Sequence, residues 1–178
     1  MSVDKADSDI NRLCAVYPGT FDPPTLGHLD VIQRAVQLFP QVIVGVFPNP
    51  KKAPLFGVRE RVALLRSVTV DLPQVTVKAF DGLLVNFVRR EKARVILRGI
   101  RAVSDMEYEF QMAMTNRNLA GIETLFLMPG EAYTYLTATL VKEVVHHGGD
   151  VSGMVPPAVL AHLKKRMAAP PHRSLSHR

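Results

Sequence analysis

The chain has no tryptophan, a single cysteine and only 7% aromatic residues in 178, and each scarcity excludes something. One thiol closes no intramolecular disulfide, so the fold must rest on a core rather than on cross-links. Cys14, inside the apolar run 13–17, reads as a buried structural thiol rather than a nucleophile. Few, scattered aromatics leave little surface for stacking unpaired bases. No apolar run nears the ~20 residues that span a bilayer, and the polar start 2–9 has no basic region followed by an apolar one. Neither a membrane span nor an export signal is expected, and a cytoplasmic protein is. Acidic residues are missing from the end: Lys164, Lys165, Arg166, Arg173 and Arg178 have no acidic companion, while the preceding 163 residues carry 17 basic against 16 acidic groups. The net +6 and the pI near 9.7 are therefore mostly a property of the tail, not of a basic nucleic-acid surface.

What is present suits one globular domain: 47% of residues are hydrophobic, and apolar runs alternate with helical periods. Strands are expected at 13–17, 42–47, 75–77, 95–97 and 124–128. Helical faces carry Leu29, Ile32, Val36 and Phe39, then Val58, Val62, Leu65 and Val68, then Leu83, Leu84, Phe87 and Val88. Ser104 and Glu107 are expected to form a capping box opening a helix through Phe110, Met114 and about Leu119. A helix over 139–145 is stopped by Gly148 and Gly149, and another begins near Pro157. This alternation predicts an α/β, Rossmann-like, doubly wound five-stranded parallel sheet with helices on both faces. The domain would span 12–167, between a flexible N-terminal arm, 1–11, and a disordered basic tail, 168–178. Met112 and Met114 read as core or interface filler. The run 89–92 reads as a solvated helix face, and His146 and His147 as a helix C-terminal pair without metal-ligand spacing.

Ligands in such sheets bind beyond the carboxyl ends of the strands, where the strand order reverses. Candidate groups fall there after every strand. The stretch from Tyr17 to His28 joins the first strand to the first helix through a Gly/Pro turn ending in Gly27-His28. Free N–H groups and the positive dipole end of that helix would favour an anion beside these two residues. A capping or packing histidine is the plain alternative. Lys51 and Lys52 follow the second strand, with solvated loop charges as their alternative. Leu83 and Leu84 follow the third, Arg98 and Arg101 flank Gly99 and Ile100 after the fourth, and Tyr133 to Thr139 follow the fifth. Arginine forms bidentate phosphate contacts. Asp105 and Glu107 suit a helix start regardless of function, so only Glu109 is kept as a ribose or base contact. Imidazole, ammonium, guanidinium and helix N–H groups are what nucleotidyl transfer from a triphosphate to a phosphate acceptor requires. The acceptor oxygen attacks the α phosphorus, pyrophosphate leaves, and the protein positions and neutralises without supplying a nucleophile.

Thr25-Leu26-Gly27-His28, preceded by Tyr17-Pro18-Gly19-Thr20-Phe21-Asp22-Pro23, resembles the nucleotidyltransferase superfamily. With Arg98-Gly99-Ile100-Arg101-Ala102-Val103 running on to Glu109, Phe126 to Pro129, and Leu140-Val141-Lys142-Glu143-Val144, residues 12–167 are similar to the bacterial phosphopantetheine adenylyltransferase family. The resemblance implies transfer of an adenylyl group from ATP to 4′-phosphopantetheine, giving dephospho-coenzyme A and pyrophosphate in the penultimate step of coenzyme A synthesis. It implies Mg²⁺ with no ligand from protein side chains, a homohexamer, and neither nucleic acid nor membrane as partner. By the same resemblance His28, Lys52 and Arg101 are catalytic, and Thr20, Lys52, Leu84 and Arg98 bind the pantetheine substrate. ATP would be held by Thr20, Phe21, His28, Gly99, Ile100, Arg101, Glu109, Tyr133, Thr134, Tyr135, Leu136, Thr137, Ala138 and Thr139. Leu136-Thr137-Ala138-Thr139 departs from the family's Ile-Ser-Ser-Ser or Ile-Ser-Ser-Thr, and Ala138 removes a hydroxyl that could touch the triphosphate. A nicotinate-nucleotide adenylyltransferase or a cytidylyltransferase would share His28 and the sheet, but Arg98-Gly99-Ile100-Arg101 counts against either. A noncatalytic RNA-binding module fits poorly with the nearly neutral body of the chain.

Overall fold

Alternation along the first two strands sets the architecture. In the computed structural model, which describes residues 13–48 and 54–168, β1 (Cys14–Gly19) sends Ala15 and Tyr17 into one core cluster and Cys14 and Val16 into another. β2 (Gln41–Val46) divides Val42, Val44 and Val46 from Ile43 in the same way. Strands buried on both faces belong at the centre of a parallel sheet. With β3 (Val75–Ala79), β4 (Val95–Gly99) and β5 (Glu123–Leu127) the order is β3-β2-β1-β4-β5, every pair parallel.

Helices cover both faces. Val31, Ile32 and Ala35 of α1 (Leu26–Leu38) and Leu65 of α2 (Val58–Val68) complete the first cluster. Val85, Phe87 and Val88 of α3 (Leu84–Arg90) complete the second, against which Ala120, the last residue of α4 (Val103–Ala120), also packs. Gly45 is fixed by this packing: a Cβ there would lie 3.0 Å from the rings of both Phe80 and Phe87, which stack 4.3 Å apart. α5 (Ala138–His146) and α6 (Pro157–Ala168) close a third cluster around Phe56, Leu64, Val141, Val159 and Leu163. This is the doubly wound, Rossmann-like sheet expected from the alternation.

The chain steps outward from β1 through β2 to β3, then crosses back to lay β4 on the other side of β1. The order therefore reverses between β1 and β4, and a ligand crevice belongs at their carboxyl ends. These strands are in ladder register only at Ala15–Val95 and Val16–Ile96, whereas β1 and β2 are paired over six residues.

Several expectations are corrected. The Ser104–Glu107 capping box does not form. Ala102 is the extended residue before α4 and makes no side-chain cap; Asp105 takes over the helix start by accepting from the Arg101 N–H at 3.2 Å. Of the two readings of Met112 and Met114, core or interface filler, the core one fails, since 36% and 57% of their surface is exposed. The run 89–92 is only partly a solvated face: Glu91 holds Lys78 at 2.6 Å and Arg89 donates to the Ala120 carbonyl. α6 extends through Ala168, one residue into the expected tail. The arm 1–11, Lys51, Lys52 and the tail from 169 lie outside the described residues.

Candidate active site

The turn after β1 is held by its own side chains. Phe21 adopts φ 51°, a left-handed conformation uncommon for a bulky residue. Its ring lies so close over Gly19 that a Cβ there would approach it to 2.7 Å. Edge-on contacts fix that ring to Tyr17, 5.4 Å away, and to His28, 5.0 Å away. Asp22, buried in the same turn, accepts from the N–H groups of Leu55 at 2.9 Å and Phe56 at 2.8 Å, which ties the turn to the approach to α2.

His28 closes the first turn of α1. The Thr25 N–H donates to its Nδ1 at 3.0 Å, while Thr25 Oγ1 accepts from the His28 N–H at 3.3 Å. This is a reciprocal capping box in which imidazole replaces the usual carboxylate. An N–H aimed at Nδ1 requires a lone pair there, so the proton of the neutral ring sits on Nε2. Burial, and then the positive charges of Arg101 and Arg98, push the His28 pKa down to about 4. At neutral pH the ring is an uncharged donor. The capping alternative is thus realised through Nδ1, with Nε2 left over for a ligand.

The helix start offers fewer free donors than its sequence suggests. The Leu26 N–H donates to the Met154 carbonyl and the His28 N–H to Thr25. Among the described residues this leaves the Gly27 N–H as the open donor of that turn. The α5 N-terminus supplies a second dipole: Thr137 caps it by accepting from the Leu140 N–H at 2.8 Å, and Ala138 and Thr139 follow.

These elements surround a cleft of about 330 Å³, within the roughly 300–1,000 Å³ of small-molecule sites. Thr20, Phe21, Gly27, His28, Arg98, Gly99, Arg101, Glu109, Leu136, Thr137, Ala138 and Thr139 line it. Other named candidates do not. Ile100 is buried behind the wall. Tyr133 packs with the α5–α6 cluster, Tyr135 is 60% exposed, and Thr134 is likewise outside the lining, because the short 3₁₀ turn 131–133 bends this segment away before Leu136 returns. Leu84 starts α3 and packs on the second core cluster instead. Lys52 falls outside the described residues.

Every described cation on the cleft has a carboxylate partner. The Arg98 Nε donates to Glu109 at 2.6 Å and Nη2 donates to the other carboxylate oxygen; Nη1 donates to the Pro18 carbonyl at 2.9 Å. Three of its five N–H bonds are used, so two remain. Arg101 holds Asp105 at 3.2 Å and the Leu136 carbonyl at 3.3 Å. Lys142 donates to Asp22 at 3.2 Å. Tyr17 stays a neutral phenol, its pKa pushed up to about 12 by burial. Asp22, Asp105 and Lys142 also line the cleft and were not singled out as site residues from sequence. Lys142 had a signal, since it lies three residues after Thr139 and so on the same helix face. Among the described residues no three His, Cys, Asp or Glu side chains group to hold a metal ion. None of the described helices is long and apolar enough to cross a membrane.

Paired cations, a neutral imidazole donor and two helix N-termini can hold a polyphosphate and neutralise charge that grows on it. Comparison with known proteins agrees. The cytidylyltransferase-like family model matches residues 16–144. The phosphopantetheine adenylyltransferase of Moorella thermoacetica is 54% identical over 153 residues, covering 85% of this chain and 96% of that protein. That of Azoarcus sp. is 53% identical over 156 residues, covering 87% and 96%. That of Alkalilimnicola ehrlichii is 53% identical over 161 residues, covering 89% and 92%. Among solved structures, a protein of Vibrio parahaemolyticus assigned as a nicotinate-nucleotide adenylyltransferase superposes with a TM-score of 0.63 at 16% identity, covering 85% of this chain and 97% of that one. At that identity the likeness concerns the fold alone.

Proposed function

The chain belongs to the phosphopantetheine adenylyltransferase family, and we propose that its cleft performs that reaction by a division of labour between its two walls. The enzyme transfers the adenylyl group of ATP to 4′-phosphopantetheine, releasing pyrophosphate and giving dephospho-coenzyme A. A phosphate oxygen of the acceptor attacks the α phosphorus, and the bond to the β-phosphate oxygen breaks. The Nε2–H of His28 meets the non-bridging oxygens as their charge grows. Arg101, the Gly27 N–H and the backbone N–H groups of Ala138 and Thr139 hold the triphosphate and the departing pyrophosphate. Arg98, aligned by Glu109, takes the acceptor phosphate with Lys52, and Thr20 stands between the two substrates. The observation that carries this reading is the His28 tautomer: Nδ1 is spent on the helix cap, so the nitrogen that remains is a donor.

Mg²⁺ would arrive on the triphosphate. An ion carried by phosphate oxygens and its own waters needs no cage of protein ligands. Its contribution is to neutralise phosphate charge. Ala138 costs the triphosphate one side-chain contact and leaves the backbone donor in place. We assign the enzyme to the cytoplasm and to a homohexamer. The assembly has a surface to use: Val103, Tyr108, Phe110, Met114 and Leu119 of α4 and Leu125 of β5 are each between 46% and 83% exposed, a large apolar area for a lone subunit. Sedimentation of the wild type beside Phe110→Glu should show a hexamer that the variant lowers in mass; a monomeric wild type rules the assembly out.

The test of function is pyrophosphate release from ATP and Mg²⁺ with 4′-phosphopantetheine, beside nicotinate mononucleotide and no acceptor, with mass detection of the adenylylated product. Release with 4′-phosphopantetheine alone is expected. Release with another acceptor alone would keep the chemistry and move the substrate.

A further inference from the structure

Among the described residues Arg61 is the largest side chain that the fold buries completely, 1% exposed, and the reaction described above gives it no task. A buried guanidinium is costly unless its donors are met. Here three of its five N–H bonds are met by carbonyls, and none by a carboxylate. Nε donates to the Phe56 carbonyl at 3.0 Å, and Nη1 donates to the carbonyls of Phe47, at 3.1 Å, and Thr20. Those carbonyls come from three segments: the turn after β1, the end of β2 and the approach to α2. The last rung joining β1 to β2 is the Phe47 N–H on the Gly19 carbonyl. Beyond it these strands offer the carbonyls of Thr20 and Phe47 no further ladder donor, and Arg61 serves both.

The backbone of Phe56 is held on both sides, its carbonyl by Arg61 and its N–H by Asp22 at 2.8 Å. Asp22 sits two residues beyond Thr20, so one short turn is anchored from both ends. A planar fork can serve acceptors that lie in different directions; a lysine ammonium keeps the charge and loses the fork.

We propose that Arg61 is a positioning residue for adenylyl transfer: by holding the carbonyls of Thr20, Phe47 and Phe56 on one guanidinium, it sets where Thr20 stands between the two substrates. The proposal rests on the adenylyltransferase reading above. Arg61 does not line the cleft, so its loss should disturb alignment more than ground-state binding, and alignment is read in kcat.

The test compares Arg61→Lys and Arg61→Ala with the wild type by thermal melting, ATP affinity from calorimetry, and kcat with ATP and 4′-phosphopantetheine. Arg61→Ala is prepared with millimolar guanidinium present, so that a variant needing the ion to fold still yields a kcat with the ion and after its removal. Arg61→Lys should bind ATP close to wild type with kcat lower by about 10–100-fold. Guanidinium should restore part of the kcat of Arg61→Ala, and methylammonium should not. Near-wild-type kcat per folded molecule in either variant, even with a lowered melting temperature, would overturn the proposal while leaving the function intact. A wild type without turnover that depends on 4′-phosphopantetheine would overturn the adenylyltransferase reading and this proposal with it.

Discussion

The wall built by β1 and α1 meets the cleft with a neutral imidazole, the carboxylate of Asp22 there being paired with Lys142, whereas the wall built by β4, α4 and α5 holds its arginines in ion pairs. On the first, Phe21, Thr25 and His28 lock one another in a buried turn, and His28 stays neutral because burial and the opposing arginines disfavour its cation. On the second, Arg98 and Arg101 are each held by a carboxylate and remain about a third exposed, with side-chain values of 27% and 34%. The difference teaches how one cleft can bind anions and still discriminate between ground and transition states. Charges that act at any distance favour substrate and transition state alike, while a fixed dipolar donor acts only where charge develops.

The largest expected effect lies on the neutral wall. His28→Ala should lower kcat by ~10²–10³ with ATP affinity little changed, the usual cost of losing one preorganised donor. The Thr25 cap loses a partner too, so the melting temperature should fall modestly. Near-normal turnover in a folded His28→Ala enzyme would erase the distinction between the walls.

On the ion-paired wall, Arg98→Ala should weaken 4′-phosphopantetheine binding by roughly 10- to 100-fold, the worth of one or two charge-assisted hydrogen bonds. It also strands Glu109, whose side chain is 10% exposed. A wholly buried broken pair costs about 3–5 kcal/mol, and the partial exposure of Arg98 makes the loss smaller. The comparison is sharpened if Arg98→Ala moves the acceptor KM while His28→Ala moves kcat. It breaks if both variants move the same constant.

The sheet was legible from sequence because its signals were redundant: β1 and β2 are short apolar runs, α1 and α2 carry their own apolar periods, and Gly27-His28 sits at one of the two strand-to-helix junctions where topology puts a ligand; α4 has no such period, its buried residues being Glu109 and Asn116. The start of α4 was misread because Ser104 and Glu107 satisfy the capping pattern, whereas the helix begins at Val103 with Asp105 holding Arg101 four residues before it, a second local pattern that competes with the first. The pairs that are distant in sequence were not legible. Arg98 and Glu109 are eleven residues apart, Asp22 and Lys142 120 apart, and no local pattern announces either contact. Arg61 has no sequence signal of its own, and its burial follows from three carbonyls supplied by segments whose convergence only the fold decides.

The smallest effect is the cleanest test of the neutral wall, because it requires no substitution in the enzyme that is titrated. The imidazole of His28 should titrate near 4 by NMR, with its proton on Nε2 throughout the neutral range, against the ordinary value of 6.5. The linkage has a definite sign. Above 6.5 both folded and unfolded His28 are neutral and contribute no pH dependence; between 6.5 and about 4 the unfolded chain binds a proton that the folded one refuses, so stability falls as pH falls, by about 1 kcal/mol at roughly pH 5.5. His28→Ala should remove that part of the slope. If His28 instead titrates near 6.5, its ring is no longer held neutral by the site, and the first wall would work by charge as the second does.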